Sequence, residues 1–242
     1  MDDFTRLQAK LQEKATNPAA RPAIYVAIGD SVTQGCMEEG VVEHERVYHQ
    51  LLRKRVAKRY PISILNVINS GVSGDTAHRS RARWQHDVLI YKPDLVTICF
   101  GLNDAHAGDA GLDNYIGSIR DLIRQVKEQT EAEVLLFTPP MMMKHDNPRI
   151  ADVHRHHVAN FTRVYENGNL YRYVQALRAM AQEEDVALLD IYAMWEEMEK
   201  QGIDIHEMLS NGINHPTADF HERMAEALEQ KLFADAPVPA QS

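Results

Sequence analysis

The alternation of short apolar segments with amphipathic helical segments is the feature that most constrains how this chain can fold. The apolar segments have the length of buried strands and lie at residues 23–28, 62–68, 95–100, 134–138 and 186–191. The stretches between them carry apolar residues at helical spacing, as in Tyr48, Leu51, Leu52 and Val56. This alternation is typical of parallel β-α-β units, whose sheet is covered by helices on both faces. The sequence therefore predicts an α/β fold, a three-layer α/β/α sandwich around a parallel five-stranded sheet.

The chain has the length of one sizeable α/β domain. Its 242 residues contain no low-complexity tract and no linker rich in Pro, Gly or Ser. We predict an N-terminal helical extension at residues 1–20, a single domain at 21–235 and a C-terminal tail at 236–242. Thr217 is predicted to cap the last helix of the domain.

Charge and cysteine content restrict the partners of this domain. The formal net charge of −9 opposes binding to phosphate backbones, so we expect no nucleic-acid partner. Basic runs such as 79–83 are expected on solvated helix faces. The N-terminus lacks the basic-then-apolar pattern of a secretory signal, and no apolar run is long enough to span a bilayer, so we expect a cytoplasmic protein. Cys36 and Cys99 are expected to be reduced, with Cys99 in the core.

The first predicted strand ends in the tripeptide Gly29-Asp30-Ser31. A small, turn-forming sequence at this point delivers a serine hydroxyl to the carboxyl edge of the sheet, where α/β enzymes place their chemistry. Ser31 is therefore the candidate nucleophile, and Asp30 is a candidate supporting residue. The same serine also fits a structural role as the cap of the following helix.

The loops after three later strands carry groups that complement this serine. Gly74 offers a backbone N–H to a developing oxyanion, and the side-chain amide of Asn103, which precedes the supporting candidate Asp104, is a second donor. His215 is the candidate base for the proton of Ser31. Taken singly, these residues also fit a turn glycine, a helix cap and a surface loop. Together they form the minimal set for acyl transfer.

These residues, in this order, resemble the motifs of the SGNH hydrolases, also called GDSL-type esterases and lipases. The resemblance covers about residues 23–232 and implies a flavodoxin-like sheet, with Ser31 as nucleophile and His215 as general base. It also implies an oxyanion hole that combines the N–H groups of Ser31 and Gly74 with the side chain of Asn103. The Gly-x-Ser-x-Gly elbow of the α/β-hydrolases is absent.

One position departs from the pattern of this family. Members usually carry an aspartate three or four residues before the histidine, where this chain has Gly212 and Asn211. Asn211 is the candidate neutral orienter, which accepts the Nδ1–H of His215 through its amide oxygen. Alternatively, Asp204 or Asp219 reaches His215, or the site is catalytically weak and retained for binding. A further hypothesis is that Asn211 deamidates and so restores an acid.

Three further features bear on the ligand. A cluster of three histidines, His154, His156 and His157, suggests a zinc site. However, residue 156 is off the helix face that the other two share, and no second ligand motif follows. We therefore expect a solvated helix without metal. The polar segment 144–173 is longer than an ordinary connection and is expected to form a helical lid. The three methionines at 141–143 fit either an acyl pocket or the core.

The expected function is that of a serine esterase without a metal or organic cofactor. Its expected substrate is a small-molecule acyl ester, with an acetyl group on a carbohydrate or related metabolite favoured by the polar lid. An acyl-serine intermediate is then hydrolysed by water. The alternatives are a lysophospholipase or thioesterase on the same site, and a catalytically impaired domain that binds acylated glycans or a protein partner.

Overall fold

The central feature of the fold is a parallel β-sheet. The structure, a computed structural model, describes residues 4–38 and 40–234, so the tail predicted at 236–242 lies outside the described residues. The strands of the sheet are β1 (Ala23–Gly29), β2 (Leu65–Gly71), β3 (Leu95–Cys99), β4 (Glu133–Phe137) and β5 (Ala187–Leu189). Their order across the sheet is β2-β1-β3-β4-β5, and each neighbouring pair is parallel. The predicted five-stranded parallel sheet of the α/β class is confirmed.

The predicted strand positions hold, with shifts at the ends. The largest shift is in β2, which begins at Leu65 rather than at Ile62. Ile62 is 66% exposed and Ile64 is 46% exposed, so these two apolar residues lie in the connection before the strand. An apolar side chain near the surface costs the fold little, so apolar character alone does not mark where a strand begins.

Helices connect the parallel strands, as crossover connections require. In the described part of the chain the α-helices are α1 (Thr5–Thr16), α2 (Ser31–Gln34), α3 (Tyr48–Arg59), α4 (Trp84–Asp87), α5 (Asp109–Gln129), α6 (Val158–Glu166), α7 (Asn169–Glu183), α8 (Ile191–Lys200) and α9 (Ala218–Phe233). Short 3-10 helices lie at Arg79–Arg83, Leu89–Tyr91, Asp104–Ala107, Asp152–His157 and Ile205–Met208. None of the described helices is both long and apolar enough to cross a lipid bilayer. The predicted cap of the last helix is confirmed, because Thr217 Oγ1 accepts the N–H of Phe220 at 3.3 Å.

The N-terminal helix shares the core of the domain. Leu7 and Leu11 of α1 are fully buried among the core residues. The carboxylate of Glu133, at the start of β4, accepts the backbone N–H of Leu7 at 2.8 Å. The side chain of Gln8 donates to the carbonyl of Leu232 in α9. The first described residues are therefore held against both the sheet and the last helix.

Candidate active site

Ser31 is the first residue of α2 and follows directly on β1. Because β1 lies between β2 and β3, its carboxyl end is at the point where the strand order reverses, which is where open parallel sheets bind ligands. Asp30 caps α2 by accepting the N–H of Val32 at 3.0 Å. Gly29 permits the close approach of this helix, since a Cβ there would stand 2.2 Å from the Oγ1 of Thr33. The sharp strand-to-helix turn thus fixes the position of the serine.

A cavity of about 640 Å³ brings the other candidate residues together. Gly74, Asn103 and His215 all line it, although they come from loops after three different strands. Ser31 is buried beside this cavity, and its carbonyl accepts the N–H of Cys36, a lining residue, at 2.9 Å. The loops therefore converge on one site at the sheet edge, as their order in the sequence predicts.

Two groups in this cavity can donate hydrogen bonds to a bound ligand. Gly74 has a φ of +72°, and nothing lies within 4 Å of the place where a side chain would begin. One N–H of the Asn103 amide donates to the carbonyl of Asp75 at 2.9 Å. Because an amide NH₂ has two protons, the second remains available to a ligand.

His215 is held by a backbone carbonyl rather than by an acid. Its Nδ1 lies 3.1 Å from the carbonyl oxygen of Met37. A carbonyl oxygen can only accept, so Nδ1 carries the proton and Nε2 keeps a free lone pair. Burial lowers the pKa of His215 below the usual 6.5, which keeps the ring neutral at pH 7. The ring is therefore in the tautomer that a general base requires.

Neither carboxylate proposed as a substitute acid contacts His215. Asp204 accepts from the ring of His206 at 2.7 Å, and Asp219 lies 3.7 Å from the guanidinium of Arg46. The hypothesis that one of them folds back onto the imidazole of His215 is therefore wrong.

Asn211 shapes the loop that carries the histidine. Its Oδ1 accepts the backbone N–H groups of Ile213, Asn214 and His215, each at 3.0 Å. The expectation that this oxygen receives the Nδ1–H of the ring is wrong, because three backbone donors occupy it. Asn211 acts on the histidine through the main chain.

Gly212 occupies a position that only glycine fits well. Its φ is +71°, and a Cβ there would stand 2.9 Å from the backbone nitrogen of Ile150. An aspartate at this place in the loop would therefore clash with the neighbouring segment. The N–H of Gly212 also donates to the carbonyl of Leu209 at 3.1 Å, which opposes the backbone attack on Asn211 that deamidation needs.

Two buried carboxylates, those of Asp30 and Asp104, hold the backbone next to the site residues. Asp104 Oδ1 accepts the N–H of Ala77 at 3.0 Å and so joins the loops that carry Asn103 and Gly74. Burial raises the pKa of Asp30 and the pKa of Asp104 to about 7 each. Both groups therefore hold a proton more readily than a solvent-exposed aspartate does.

Arg83 is a positioning residue that sequence reasoning missed. The basic run 79–83 was expected on a solvated face, but the side chain of Arg83 is only 18% exposed. Its guanidinium donates to the carbonyls of Gly29 and Ser70, at 3.1 and 2.7 Å, and pairs with Asp75 at 2.8 Å. It thus joins the ends of β1 and β2 to the loop of Gly74. Arg83 lies nine residues after Gly74 in a run that also contains Arg79 and Arg81, so no feature of the sequence distinguishes it from them.

The histidine-rich segment lies at the rim of the cavity. His154, His156 and His157 form a 3-10 helix in which no residue is buried, and the first and last of them line the cavity together with Phe161 of α6. Within residues 4–38 and 40–234, no group of three His, Cys, Asp or Glu side chains could hold a metal ion. The methionines at 141–143 are buried and lie outside this cavity.

The fold and the site together define a class. A flavodoxin-like α/β domain places a serine, a histidine and candidate oxyanion donors at the point where its strand order reverses, which is the arrangement of a serine acyl hydrolase. The chain belongs to the GDSL-like lipase/acylhydrolase family, whose model matches residues 27–223. The resemblance to the SGNH hydrolases is therefore confirmed.

Individual relatives agree with this assignment. An acetylxylan esterase from Geobacillus stearothermophilus is 34% identical over 89 residues, which cover 33% of this chain and 40% of the relative. An uncharacterized lipoprotein, YqeF, from Bacillus subtilis (strain 168) is 35% identical over 80 residues, which cover 33% of this chain and 31% of the relative. The matched region therefore spans less than half the length of either protein.

Solved structures show the same fold over most of the chain. A lipase/acylhydrolase from Enterococcus faecalis superposes with a TM-score of 0.69 at 20% identity, covering 91% of this chain and 100% of that chain. The acetylxylan esterase from Geobacillus stearothermophilus superposes with a TM-score of 0.66 at 23% identity, covering 87% of this chain and 94% of that chain.

Proposed function

We propose that this protein is a serine esterase that removes a small acyl group, with an acetyl ester of a carbohydrate as its substrate class. The observation that carries the proposal is the shared cavity. Gly74, Asn103 and His215 line it together, and Ser31 is hydrogen-bonded to its wall through Cys36.

The proposed reaction begins when Ser31 Oγ attacks the ester carbonyl carbon and passes its proton to His215 Nε2. The oxyanion accepts hydrogen bonds from the N–H groups of Ser31 and Gly74 and from the second amide proton of Asn103. The imidazolium then gives its proton to the leaving alcohol oxygen as the C–O bond breaks. Water, activated by the same imidazole, hydrolyses the acyl-serine and releases the acid.

The carbonyl of Met37 supports this mechanism without a carboxylate, because it fixes the Nδ1–H tautomer of His215. In trypsin-like proteases, replacing the triad aspartate by asparagine selects the wrong tautomer and lowers kcat by about 10⁴. A loss of that kind is not expected here. A carbonyl dipole stabilises the imidazolium less than a carboxylate does, so the proposed enzyme is slower than one with a complete triad.

The lining of the cavity combines polar and apolar side chains. Gln34, Ser73 and Asn214 are polar, the apolar residues are Val41, Val42, Phe161 and Ile213, and the adaptable methionines at 141–143 lie elsewhere. The polar groups can bond to the hydroxyl groups of an alcohol, and the apolar side chains can pack against an acyl group. The acetylxylan esterase relative supports an acetylated carbohydrate as the first substrate to test.

The proposal is tested by comparing the wild type with Ser31→Ala and with the control Ser63→Ala, which alters a serine before β2. Substrates are p-nitrophenyl acetate, p-nitrophenyl octanoate, an acyl-CoA and acetylated xylo-oligosaccharides. We expect the wild type and the control to prefer the acetyl esters, and Ser31→Ala to lose at least about 10³ in kcat. A fluorophosphonate should label Ser31 stoichiometrically.

Other results point to other functions. A higher kcat/KM for octanoate or acyl-CoA contradicts the short-acyl assignment and favours a lipase or thioesterase. If Ser31→Ala turns over substrate as fast as the wild type, Ser31 is not the nucleophile. Binding of acetylated glycan by Ser31→Ala, with no turnover by the wild type, identifies a binding domain.

A further inference from the structure

A second cavity of about 420 Å³ lies outside the site described above. Met141, Met142 and Lys144, which follow β4, form one wall, and residues of α8 form another. The remaining wall is the junction between α6 and α7. Its volume lies within the range of small-molecule sites in proteins.

Tyrosines are the prominent side chains of this second cavity. Tyr165 is 41% exposed and Tyr171 is 48% exposed, so large ring surfaces face the opening. The ring of Tyr192 is buried, and its centre lies 6.2 Å from that of the Tyr171 ring. Ring faces of this kind pack well against the C–H groups on one face of a pyranose sugar, and the hydroxyl groups can bond to the sugar oxygens.

Three glutamates line this cavity, Glu166, Glu196 and Glu199, and the last two form ion pairs. Lys144 forms a close ion pair with Glu199, and its ammonium lies 5.3 Å from the ring centre of Tyr165. Glu196 lies 3.6 Å from the guanidinium of Arg178. An organic cation would have to displace Lys144 from both the ring and the carboxylate. A neutral ligand with many hydroxyl groups can instead bond to these paired charges where they stand.

The second cavity is close to the catalytic cavity. Phe161 lines the catalytic cavity and Tyr165 lines the second, and both lie on α6 one turn apart, which corresponds to about 6 Å along the helix axis. The loops are also joined directly, because Met143 donates its N–H to the carbonyl of Ile213, a catalytic-cavity residue, at 2.6 Å. One chain-like ligand can therefore reach both cavities.

We propose that the tyrosine-lined cavity is a sugar-binding subsite, which holds one unit of an oligosaccharide ester while the acylated unit occupies the catalytic cavity. The bridging part of this inference rests on the proposed esterase function. Binding of a sugar in the second cavity does not require that function, so the two can be tested apart.

The first experiment measures binding without turnover. Unacetylated xylotetraose is titrated calorimetrically into Ser31→Ala, with and without a second change, Tyr165→Ala or Tyr171→Ala. The matched control is Tyr91→Ala, because Tyr91 is a similarly exposed tyrosine that lines neither cavity. We expect each subsite change to raise Kd about tenfold and the control to leave it unchanged, since one lost aromatic contact contributes about that factor.

The second experiment separates binding from chemistry in proteins that keep Ser31. For acetylated xylotetraose, Tyr165→Ala should raise KM about tenfold with kcat nearly unchanged. For p-nitrophenyl acetate, which is too small to reach the subsite, both constants should match those of the wild type.

The outcomes distinguish the two proposals. If xylotetraose binding depends on Tyr165 but the protein has no esterase activity, the subsite is supported and the proposed esterase function is contradicted. Esterase activity with xylotetraose binding that is absent or indifferent to Tyr165 overturns the subsite. If the protein binds tetramethylammonium but not xylotetraose, and Tyr165→Ala abolishes this binding, the cavity is a cation site and the sugar-subsite proposal is overturned.

Discussion

Substitution of Asn211 tests whether a side chain or the backbone holds the imidazole of His215. Asn211 Oδ1 accepts three backbone N–H groups, and the ring of His215 donates to the carbonyl of Met37. A carboxylate at position 211 can accept the same three N–H groups. We therefore expect Asn211→Asp to keep kcat/KM for p-nitrophenyl acetate within about threefold of the wild type, which is below 1 kcal/mol in activation free energy.

Asn211→Ala should behave differently, because it removes the acceptor of all three donors. Each hydrogen bond contributes about 0.5–1.5 kcal/mol net, and the half-buried position lets water replace part of the loss. We expect the free energy of unfolding to fall by about 2 kcal/mol, which lowers Tm by about 4–8 °C in a chain of this size. The loop then positions His215 less well, so kcat/KM should fall about tenfold or more.

The measurement is kcat/KM and thermal unfolding for both variants beside the wild type, with Asn114→Ala as a control on the exposed surface of α5. A gain of tenfold or more in Asn211→Asp would refute the reasoning, because it would show that this side chain reaches the imidazole. Wild-type stability and activity in Asn211→Ala would refute the role of Asn211 in the loop.

Three more predictions concern a positioning arginine and two histidines. Arg83→Gln removes the nearest cation of the buried Asp75 carboxylate and leaves only Arg79 at 3.9 Å, so Tm should fall by about 10 °C. Arg53→Gln on the exposed face of α3 should change Tm by less than about 2 °C, and equal shifts in calorimetry would contradict this prediction. The kcat/KM profile should rise with pH through a pKa below 6.5, because burial lowers the pKa of His215, and a controlling pKa above 7 would exclude this base. Burial lowers the pKa of His49 to about 4, so the folded state binds fewer protons than the unfolded state between pH 6.5 and 4. The free energy of unfolding therefore falls by up to about 3 kcal/mol as the pH falls through this range. The glutamine of His49→Gln can still donate to the carbonyl of Thr33, so the free energy of unfolding of this variant, measured with urea, should fall less over this range. If it falls as steeply with pH as in the wild type, another group causes the acid sensitivity.

The sequence predicted what depends on pattern and on chain order. The alternation of strands and helices predicted the sheet, and the sheet placed Gly74, Asn103 and His215 at one edge. Each of these positions is marked by a residue type whose chemistry can be recognised in a sequence. The strand boundary at Ile62 was misplaced because hydrophobicity does not report exposure.

The contacts that hold the site were not predictable in the same way. The acceptor of the His215 ring proton is a main-chain oxygen, which every residue possesses, so no residue type at position 37 signals it. Arg83 was expected in water because charged runs usually face solvent, and only the folded chain shows the carboxylate and carbonyls that surround it. The second cavity combines residues from three separate segments, which no local pattern connects.

The bond between Met37 and His215 also affects how this site can change by mutation. A catalytic carboxylate can be lost through a single codon, but a peptide carbonyl survives every substitution that preserves the course of the chain. The orientation of the His215 ring therefore depends on the path of the chain at Met37, and changes in the length of the chain there disturb it more than changes in the residues do. Insertions and deletions on either side of Met37 should accordingly impair the site more than substitutions of the neighbouring residues do.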